Sequence, residues 1–380
     1  MTTIAFVLVS FTPDAPAGME RATAGLAAGL AALGHRAIII TAAPAAPARY
    51  AGATIRKLTS LRVPWPSDDQ TLRATITTAA DLITAELGDI YREFQVDAVI
   101  YVDALWGLGR IMPATIPHRR ILAAHVIGHD VDVDLALAQK PDAVLVPSAS
   151  ARAEAATRGF DSSSWQIQPN PLLTEPPPPD PQGRARLRTS GPIRVMARPA
   201  PEKGIVPLLA AASDAQVRAD RRTYRIGDAQ ASIEVALAKA GFEAVIGSQD
   251  DTMTHCTAYC DAAAISLGDG LTWAKAPKWL AAAALVIVPY LRETFGLVAL
   301  ESMAGGTPVI AYRTGNLPAL IGDGGVLVDL EAGPQALWRA AWQLRADPVR
   351  YEAASRAAYY LARDYRPAHI ADDLLLKVVS

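Results

Sequence analysis

The chain has 380 residues, and at roughly 150 residues per domain this length predicts two or three domains rather than one small binding module. Hydrophobic residues make up 51% of the chain and charged residues 19%, a composition that excludes a disordered chain and predicts compact folding. With 36 Lys and Arg against 38 Asp and Glu, the net charge of −2 offers no general positive surface for nucleic acid or for an anionic membrane.

The chain begins with an apolar run that predicts a strand over residues 4–11. No basic residue precedes the run, so it is not typical of a signal peptide. The most apolar later stretch, residues 279–290, is about a dozen residues long, against the ~20 that cross a bilayer. We therefore expect a cytoplasmic protein without a transmembrane segment.

The two cysteines, Cys256 and Cys260, are the only ones in the chain and lie four positions apart. They exclude a framework of several disulfides and favour a reducing compartment. With the adjacent His255 they still lack the paired spacing of a zinc site, so no metal is predicted.

Short apolar runs alternate with longer helical patterns in the N-terminal half. The predicted strands are 4–11, 37–41, 97–102, 120–124 and 143–146, and the predicted helices include 19–33 and 72–94. Strands separated by helices indicate βαβ units and a parallel sheet.

Prolines are concentrated between the two halves. Seven of the 28 prolines lie within residues 169–181. This density predicts a stiff, extended connector, which we assign to residues 173–191.

The C-terminal half repeats the βαβ pattern. Its predicted strands are 193–197, 223–226, 262–267, 285–288 and 308–311. After Asp329 the pattern is helical, and a final apolar stripe at Ile370, Leu374 and Val378 has helical spacing and must cover another surface. Two doubly wound parallel sheets that face each other would place a ligand cleft at the carboxyl ends of their strands.

A motif with a chemical meaning follows the predicted strand 285–288. Glu293 lies in a short loop, and a helix is predicted to start near Gly296, where unpaired N–H groups can hold an anion. Glu301 lies within the apolar run of that helix, and a buried carboxylate requires a basic partner or a ligand diol. The alternative is that both glutamates are structural.

Two cations follow the predicted strand 193–197. Arg198 and Lys203 would neutralise a diphosphate held at this strand end together with the Gly296 helix start. The alternative is a solvated loop in which Arg198 pairs with Glu202.

The loop after the first strand reads Ala17-Gly18-Met19-Glu20. Gly18 would permit close backbone approach to a ligand, although an ordinary turn explains it equally well. The loop lacks the G-x-G-x-x-G pattern, and the chain has no G-x-x-x-x-G-K-[ST], so NAD enzymes and P-loop NTPases are disfavoured.

In their order, these motifs resemble those of the retaining GT-B glycosyltransferases, in particular family four of the group 1 type. The matching elements are Ala17–Glu20, Gly34–His35, Asn170–Pro171, Arg198 with Glu202–Gly204, and Glu293–Glu301. The sequence departs from the family pattern at Ala17, where the family has a first glycine, and at Ala319, where it often has Glu.

The resemblance implies a GT-B architecture of two Rossmann-like sheets. Residues 1–172 would form an acceptor-binding domain and residues 192–364 a donor-binding domain, with residues 365–380 forming a helix that packs back on the first domain. It also implies transfer of a sugar from a nucleotide-sugar to a hydroxyl of a small-molecule or glycan acceptor, with retained anomeric configuration and no essential metal or other cofactor. A UDP-sugar is expected first and a GDP-sugar next.

The resemblance also assigns roles to single residues of the donor site. Arg198 and Lys203 would hold the diphosphate, Glu293 would bind hydroxyls of the transferring sugar, and Glu301 would bind the ribose. The donor site would be completed by Gly18, Phe295, Gly296 and Leu297.

On the acceptor side, His125 follows a predicted strand and matches a family histidine near the donor sugar. His129 is the rival, and either histidine would otherwise belong to the core. Asp130, Asp132, Asp134 and Asp103, the last with Trp106, would favour a cationic acceptor such as an aminocyclitol of antibiotic biosynthesis if they lined the site. The alternative is a solvated acidic turn.

Two other functions use the same fold. One is a nucleotide-sugar epimerase, and the other is a scaffold that binds sugar nucleotides without turnover. A phosphorylase is disfavoured because it would need a pyridoxal lysine site and usually a much longer chain.

Overall fold

The structure is a computed structural model that describes residues 1–64, 67–113, 118–226, 231–239 and 246–379. The chain forms two compact units. Unit 1 contains Met1–Thr174 and Tyr365–Ser380, and unit 2 contains Glu175–Ala240 and Val245–Asp364.

Unit 1 is built on an eight-stranded sheet. In chain order the strands are β1 Thr3–Leu8, β2 Arg36–Thr41, β3 Arg49–Tyr50, β4 Ala53–Lys57, β5 Ala98–Val102, β6 Arg119–Ala123, β7 Ala143–Val146 and β8 Gln166–Ile167. Their order in the sheet is β3-β4-β2-β1-β5-β6-β7-β8, and every neighbouring pair is parallel except β3 and β4. Every residue of β1 and β5 is buried, as expected for central strands covered on both faces.

Four helices connect these strands. They are α1 Gly18–Ala32, α2 Asp69–Phe94, α3 Asp130–Ala138 and α4 Ala149–Thr157. Local capping explains two of their starts: Asp68 accepts the Thr71 N–H before α2, and Ser148 accepts the Ala151 N–H before α4.

Unit 2 is built on a six-stranded, wholly parallel sheet. Its strands are β9 Ile193–Ala197, β10 Ile233–Leu237, β11 Ser266–Asp269, β12 Leu285–Val288, β13 Val309–Tyr312 and β14 Gly325–Val328, in the order β11-β10-β9-β12-β13-β14. Its helices are α5 Pro181–Ser190, α6 Ile205–Ala212, α7 Ala215–Thr223, α8 Ile246–Ala263, α9 Ala276–Ala281, α10 Leu297–Ala304, α11 Leu317–Ile321, α12 Gly333–Ala346 and α13 Pro348–Ala362. The predicted doubly wound α/β class is confirmed for both halves.

The segment predicted as an extended connector, 173–191, differs over its second half, which forms α5. Asp180 caps this helix by accepting the Gln182 and Gly183 N–H groups. Arg184 is only 6% exposed and donates to the carbonyls of Ala281, Ala283 and Ala284 and to the hydroxyl groups of Thr307 and Tyr351. The helix is therefore anchored in unit 2.

The predicted strand 223–226 is wrong. Thr223 is the last residue of α7, a helix that Asp214 caps through the Gln216 and Val217 N–H groups. The strand beside β9 is instead β10, which starts at Ile233. The β-branched and aromatic residues at 223–226 suggested a strand, but Thr223 completes the last turn of α7, and the Tyr224 N–H donates to the Asp220 carbonyl at 2.9 Å.

The last helix, α14 Pro367–Val379, belongs to unit 1 and packs on α1. The predicted stripe of Ile370, Leu374 and Val378 is buried. The approach is close, since a Cβ at Gly29 of α1 would lie 2.1 Å from the Pro367 carbonyl oxygen. The C-terminal helix thus lies in the same compact unit as the N-terminal strands.

Within the described part of the chain, no helix combines the length and the apolar character needed to cross a membrane.

Candidate functional site

Two loops of unit 2 carry most of the predicted donor residues. One follows β9 and contains Arg198 and a short 3-10 helix, Pro201–Lys203; the other follows the neighbouring strand β12 and contains Glu293. The Leu291 N–H donates to the Glu202 carbonyl at 2.9 Å, so the two loops are joined through their backbones.

Two glycines allow the loop after β12 to lie close to the loops after β9 and β13. Gly204 has φ +61°, and a Cβ there would lie 2.1 Å from the Pro289 carbonyl oxygen. Gly315, after β13, has φ +52°, and its Cβ would lie 1.8 Å from the Glu293 carbonyl oxygen. Any side chain at either position would push the loops apart.

Lys203 and Glu293 form an ion pair. Lys203 Nζ lies 3.0 Å from Glu293 Oε2, and the two side chains are only 17% and 13% exposed. The other carboxylate oxygen, Oε1, accepts the Phe295 N–H at 3.2 Å. Both charged residues were predicted from the sequence as donor-site residues, but their contact was not.

Arg198 supplies the second cation of these loops. Its guanidinium lies 3.8 Å from the Glu202 carboxylate, and the two side chains are 24% and 48% exposed. The ion pair between Arg198 and Glu202, which we considered as an alternative, is therefore present, although 3.8 Å is a long distance for an ion pair. Arg198 and Lys203 thus place two cations after β9, each beside a glutamate.

Helix α10 starts directly after Gly296, as the sequence predicts. Gly296 has φ +108°, and a Cβ there would lie 2.9 Å from Leu317 Cδ2. The neighbouring predicted residues are Phe295, which is 3% exposed, and Leu297, which opens the helix. Glu301, inside α10, is 2% exposed, so the prediction of a buried carboxylate is correct.

Sequence reasoning missed two residues of this site. The ring centroid of Tyr290 lies 4.1 Å from Lys203 Nζ. Asn316 donates its side-chain amide to the Phe295 carbonyl at 2.9 Å and its backbone N–H to the Glu293 carbonyl at 3.2 Å. Asn316 lies just after β13, and no local sequence pattern links it to a loop some twenty residues earlier.

Unit 1 carries the remaining candidates. Gly18 opens α1 and is exposed, and its φ lies outside the left-handed region, so its backbone does not itself require glycine. Glu20 is 4% exposed and accepts hydrogen bonds from the Ser10 hydroxyl and, at 3.5 Å, from the Thr12 N–H. Burial raises its pKa to about 7, although both hydrogen bonds oppose that change.

His125 follows β6 and lines a small cavity inside unit 1. The cavity measures about 20 Å³, and its polar lining includes Thr23, Gln168 and Asn170. Burial lowers the pKa of His125 to about 4, so the imidazole is neutral at pH 7. A neutral ring has one donor and one acceptor nitrogen.

His129, the rival of His125, has different surroundings. It immediately precedes α3, with Nδ1 3.1 Å from Arg73 Nη2 and 3.7 Å from Asp132. The nearby Asp132 carboxylate raises the pKa of His129 despite partial burial. It therefore belongs to an ion-paired cluster.

That cluster also neutralises the central residue of the predicted acidic turn. Asp132 is fully buried, 2.6 Å from Arg73 and 3.2 Å from Arg110. Although burial alone would raise the pKa of Asp132, the nearby His129 and the hydrogen bonds from Arg73 lower it to about 2.

The flanking acidic residues differ from Asp132. Asp130 pairs with Arg158 at 3.2 Å, and Asp134 is exposed. The ion pairs of Asp130 and Asp132 reduce the negative charge that would attract a cationic acceptor.

Asp103, at the end of β5, holds the loop that contains His125. It is fully buried, and its Oδ1 accepts the Val126 N–H at 3.1 Å. Its φ of +97° is strained for a residue other than glycine, and burial raises its pKa to about 6. Nearby Trp106 is 9% exposed, and its carbonyl accepts the Val9 N–H at 2.5 Å.

Over the described residues, no group of three or more His, Cys, Asp or Glu side chains could hold a metal ion. Cys256 and Cys260 are buried, free thiols, and burial raises their pKa values to about 12 and 11.

Comparison with known families matches residues 194–347 to the family described as glycosyl transferases, group 1. The similar curated proteins include the D-inositol 3-phosphate glycosyltransferases of Segniliparus rotundus, 41% identical over 119 residues, and Corynebacterium diphtheriae, 44% identical over 85 residues. These alignments cover 29% and 21% of this chain. They span only 26% and 19% of the relatives' own lengths.

Solved structures are similar over the whole chain. Sucrose-phosphate synthase of Thermosynechococcus elongatus has a TM-score of 0.74 at 18% identity, with all of both chains covered. Anabaena HepE in complex with UDP and glucose has a TM-score of 0.74 at 16% identity, also with full coverage of both chains. At such identities the likeness establishes the fold. The chain therefore has the GT-B fold of two Rossmann-like sheets, and its residues 194–347 are similar to the group 1 glycosyl transferases.

Proposed function

We propose that this chain transfers a sugar from a nucleoside diphosphate sugar to a hydroxyl group of a small-molecule or glycan acceptor, with retained anomeric configuration. The observation that carries the proposal is the Lys203–Glu293 pair, 3.0 Å apart, on loops that follow two neighbouring strands. Both residues lie in the segment that matches the family.

The donor roles follow from charge and position. Arg198 and Lys203 bind the diphosphate, because they supply two cations at the end of β9. Glu293 binds hydroxyls of the transferring sugar, and the buried Glu301 binds the ribose hydroxyls. Negative charge develops on the departing diphosphate in the transition state, so fixed cations and the amides from Phe295 to Leu297 accelerate the step.

The proposed reaction breaks the bond between the anomeric carbon and the diphosphate and forms a bond to the acceptor oxygen on the same face. The diphosphate oxygen takes the acceptor proton, which accounts for retention without a covalent protein intermediate. His125, neutral at pH 7, hydrogen-bonds the sugar. We propose that none of these steps needs a metal ion.

The donor base is uracil in this proposal, with guanine second. The complex of HepE with UDP and glucose supports uracil as the base, since HepE has the same fold. The acceptor is a polyol, which the names of the inositol phosphate glycosyltransferases support. The ion pairs of Asp132 argue against selection of an aminocyclitol by charge, so amino and hydroxy acceptors of one shape should react alike.

A thermal-shift screen over UDP-, GDP-, ADP- and dTDP-sugars tests the donor. A ligand at 100 times its Kd adds about 2.7 kcal/mol to the apparent free energy of unfolding. Lys203→Met should lose most of the shift, whereas Lys278→Met, which changes an exposed lysine on α9, should keep it. The absence of a shift with every nucleotide sugar would refute the proposal.

Turnover distinguishes the competing functions. A transferase releases the nucleoside diphosphate only when an acceptor is added, and NMR of the product reports the anomeric configuration. An epimerase would change the sugar without any acceptor, and a non-catalytic scaffold would bind the nucleotide sugar without releasing products.

A further inference from the structure

The ammonium group of Lys203 lies between two different partners. The Glu293 carboxylate is 3.0 Å from Nζ, and the ring centroid of Tyr290 is 4.1 Å from it. The aromatic face carries negative charge density, so it attracts a cation at this distance. An ammonium has three donors, and neither partner needs more than one of them.

Tyr290 is itself held firmly. It is 3% exposed, and its hydroxyl donates to the Met196 carbonyl of β9 at 2.7 Å. Burial, and after it the charge of Glu293, raises the pKa of the Tyr290 hydroxyl, so the ring stays a neutral phenol. The Tyr290 ring, which contacts Lys203, is therefore held in place by its hydrogen bond to β9.

The backbone brings the two residues together. Lys203 lies in the loop after β9 and Tyr290 in the loop after β12, where the Leu291 N–H donates to the Glu202 carbonyl. The absence of a side chain at Gly204 lets this loop reach the Pro289 carbonyl. A lysine side chain is flexible, so a ligand that must order it on binding is bound less tightly. This cost is smaller when the side chain is already ordered before the ligand binds.

We propose that Tyr290 is a positioning residue for Lys203: its ring holds the ammonium where the donor diphosphate binds. This inference rests on the proposed function. The ring acts only through the lysine and does not touch the substrate. It follows that the effect of Tyr290 on nucleotide binding depends on the charge of Lys203.

A double-mutant cycle on the full chain tests this dependence, with UDP as the ligand in calorimetry. Tyr290→Leu should raise the Kd of UDP about five- to thirtyfold, the range that corresponds to a partly desolvated cation–π contact. In the Lys203→Met background the same change should alter the Kd less than about twofold. Tyr290→Phe, which keeps the ring, should remain close to the wild type.

A second series keeps the shape of the ring, in case Tyr290→Leu does not fold. Phenylalanines that carry one, two and three ring fluorines at position 290 progressively weaken the negative ring face. The Kd of UDP should rise stepwise along this series when Lys203 is present and stay flat when Met replaces it.

The outcomes separate the two proposals. If the wild type binds UDP but Tyr290→Leu or the fluorinated series has equal effects with and without Lys203, the positioning role is wrong and the proposed function stands. If the wild type binds no nucleoside diphosphate, the proposed function fails, and the positioning role fails with it.

Discussion

Replacing Glu20 by Gln should change how the stability of unit 1 depends on pH. In the folded chain the pKa of Glu20 is about 7, against an ordinary value of 4.5. The folded state therefore binds this proton more tightly than the unfolded state. The ionisation penalty is absent below pH 4.5, grows between pH 4.5 and 7, and is fully present above pH 7.

The magnitude follows from these two pKa values. They differ by 2.5, which corresponds to a full penalty of about 3.4 kcal/mol. Between pH 5 and pH 8 the penalty grows by about 2.5 kcal/mol. In the variant, the side-chain amide of the introduced Gln can place its own N–H groups against the Thr12 N–H, which is unfavourable. This unfavourable contact does not depend on pH, so it cancels when the stabilities at pH 5 and pH 8 are subtracted.

The assay is urea unfolding of the full chain at pH 5 and pH 8, with hydrogen exchange of the β1 amides as the reporter for unit 1. Relative to the wild type, Glu20→Gln should gain about 2.5 kcal/mol on going from pH 5 to pH 8.

Glu86→Gln is the matched control, because hydrogen bonds from Ser60 and Thr59 lower the pKa of Glu86 even though burial alone would raise it. The stability that Glu86 contributes is lost only as the pH falls below its ordinary value of 4.5, so its variant should differ from the wild type by a nearly constant amount between pH 5 and pH 8. A constant difference for Glu20→Gln as well would refute the reasoning about Glu20.

Three further outcomes are expected. Lys203→Ala should lower kcat by a factor of about 100 to 1,000, or ~2.7–4 kcal/mol of activation free energy, while Lys278→Ala should not; steady-state kinetics that show near wild-type turnover would contradict its role. Glu301→Gln should raise the Kd of UDP about thirtyfold and remove the preference for UDP over its dideoxy analogue, and calorimetry that finds the preference intact would exclude the ribose role. Arg184→Met should lower the free energy of unfolding of unit 2 by about 3 kcal/mol in urea unfolding, because it leaves several buried acceptors unpaired. Arg186 lies on the same helix and its side chain is 70% exposed, so Arg186→Met should cost less than about 0.5 kcal/mol.

Local features of the site could be predicted from sequence. The strand 285–288, the loop with Glu293 and the helix start after Gly296 are all set by residues within a dozen positions, and the structure has them where the sequence puts them. Glu301 was identified as buried because its neighbours on the helix are apolar.

Contacts between distant segments could not be predicted. Lys203 and Glu293 are 90 positions apart, and Arg73 and Asp132 are 59 apart. Each pair forms because parallel strands and their helices bring separate loops together, and no local pattern records this. The acidic turn therefore seemed charged in the sequence although two arginines neutralise Asp132 in the fold.

The position of α14 determines the order in which the protein can be completed during synthesis. Unit 1 needs this helix to cover α1 at Gly29, yet about 190 residues separate Thr174 from Tyr365. At roughly 5–20 residues per second, the ribosome takes on the order of 10–40 s to make that stretch. During this interval the surface of α1 that α14 will cover is exposed to solvent, so nascent unit 1 stays incomplete until α14 itself has been made.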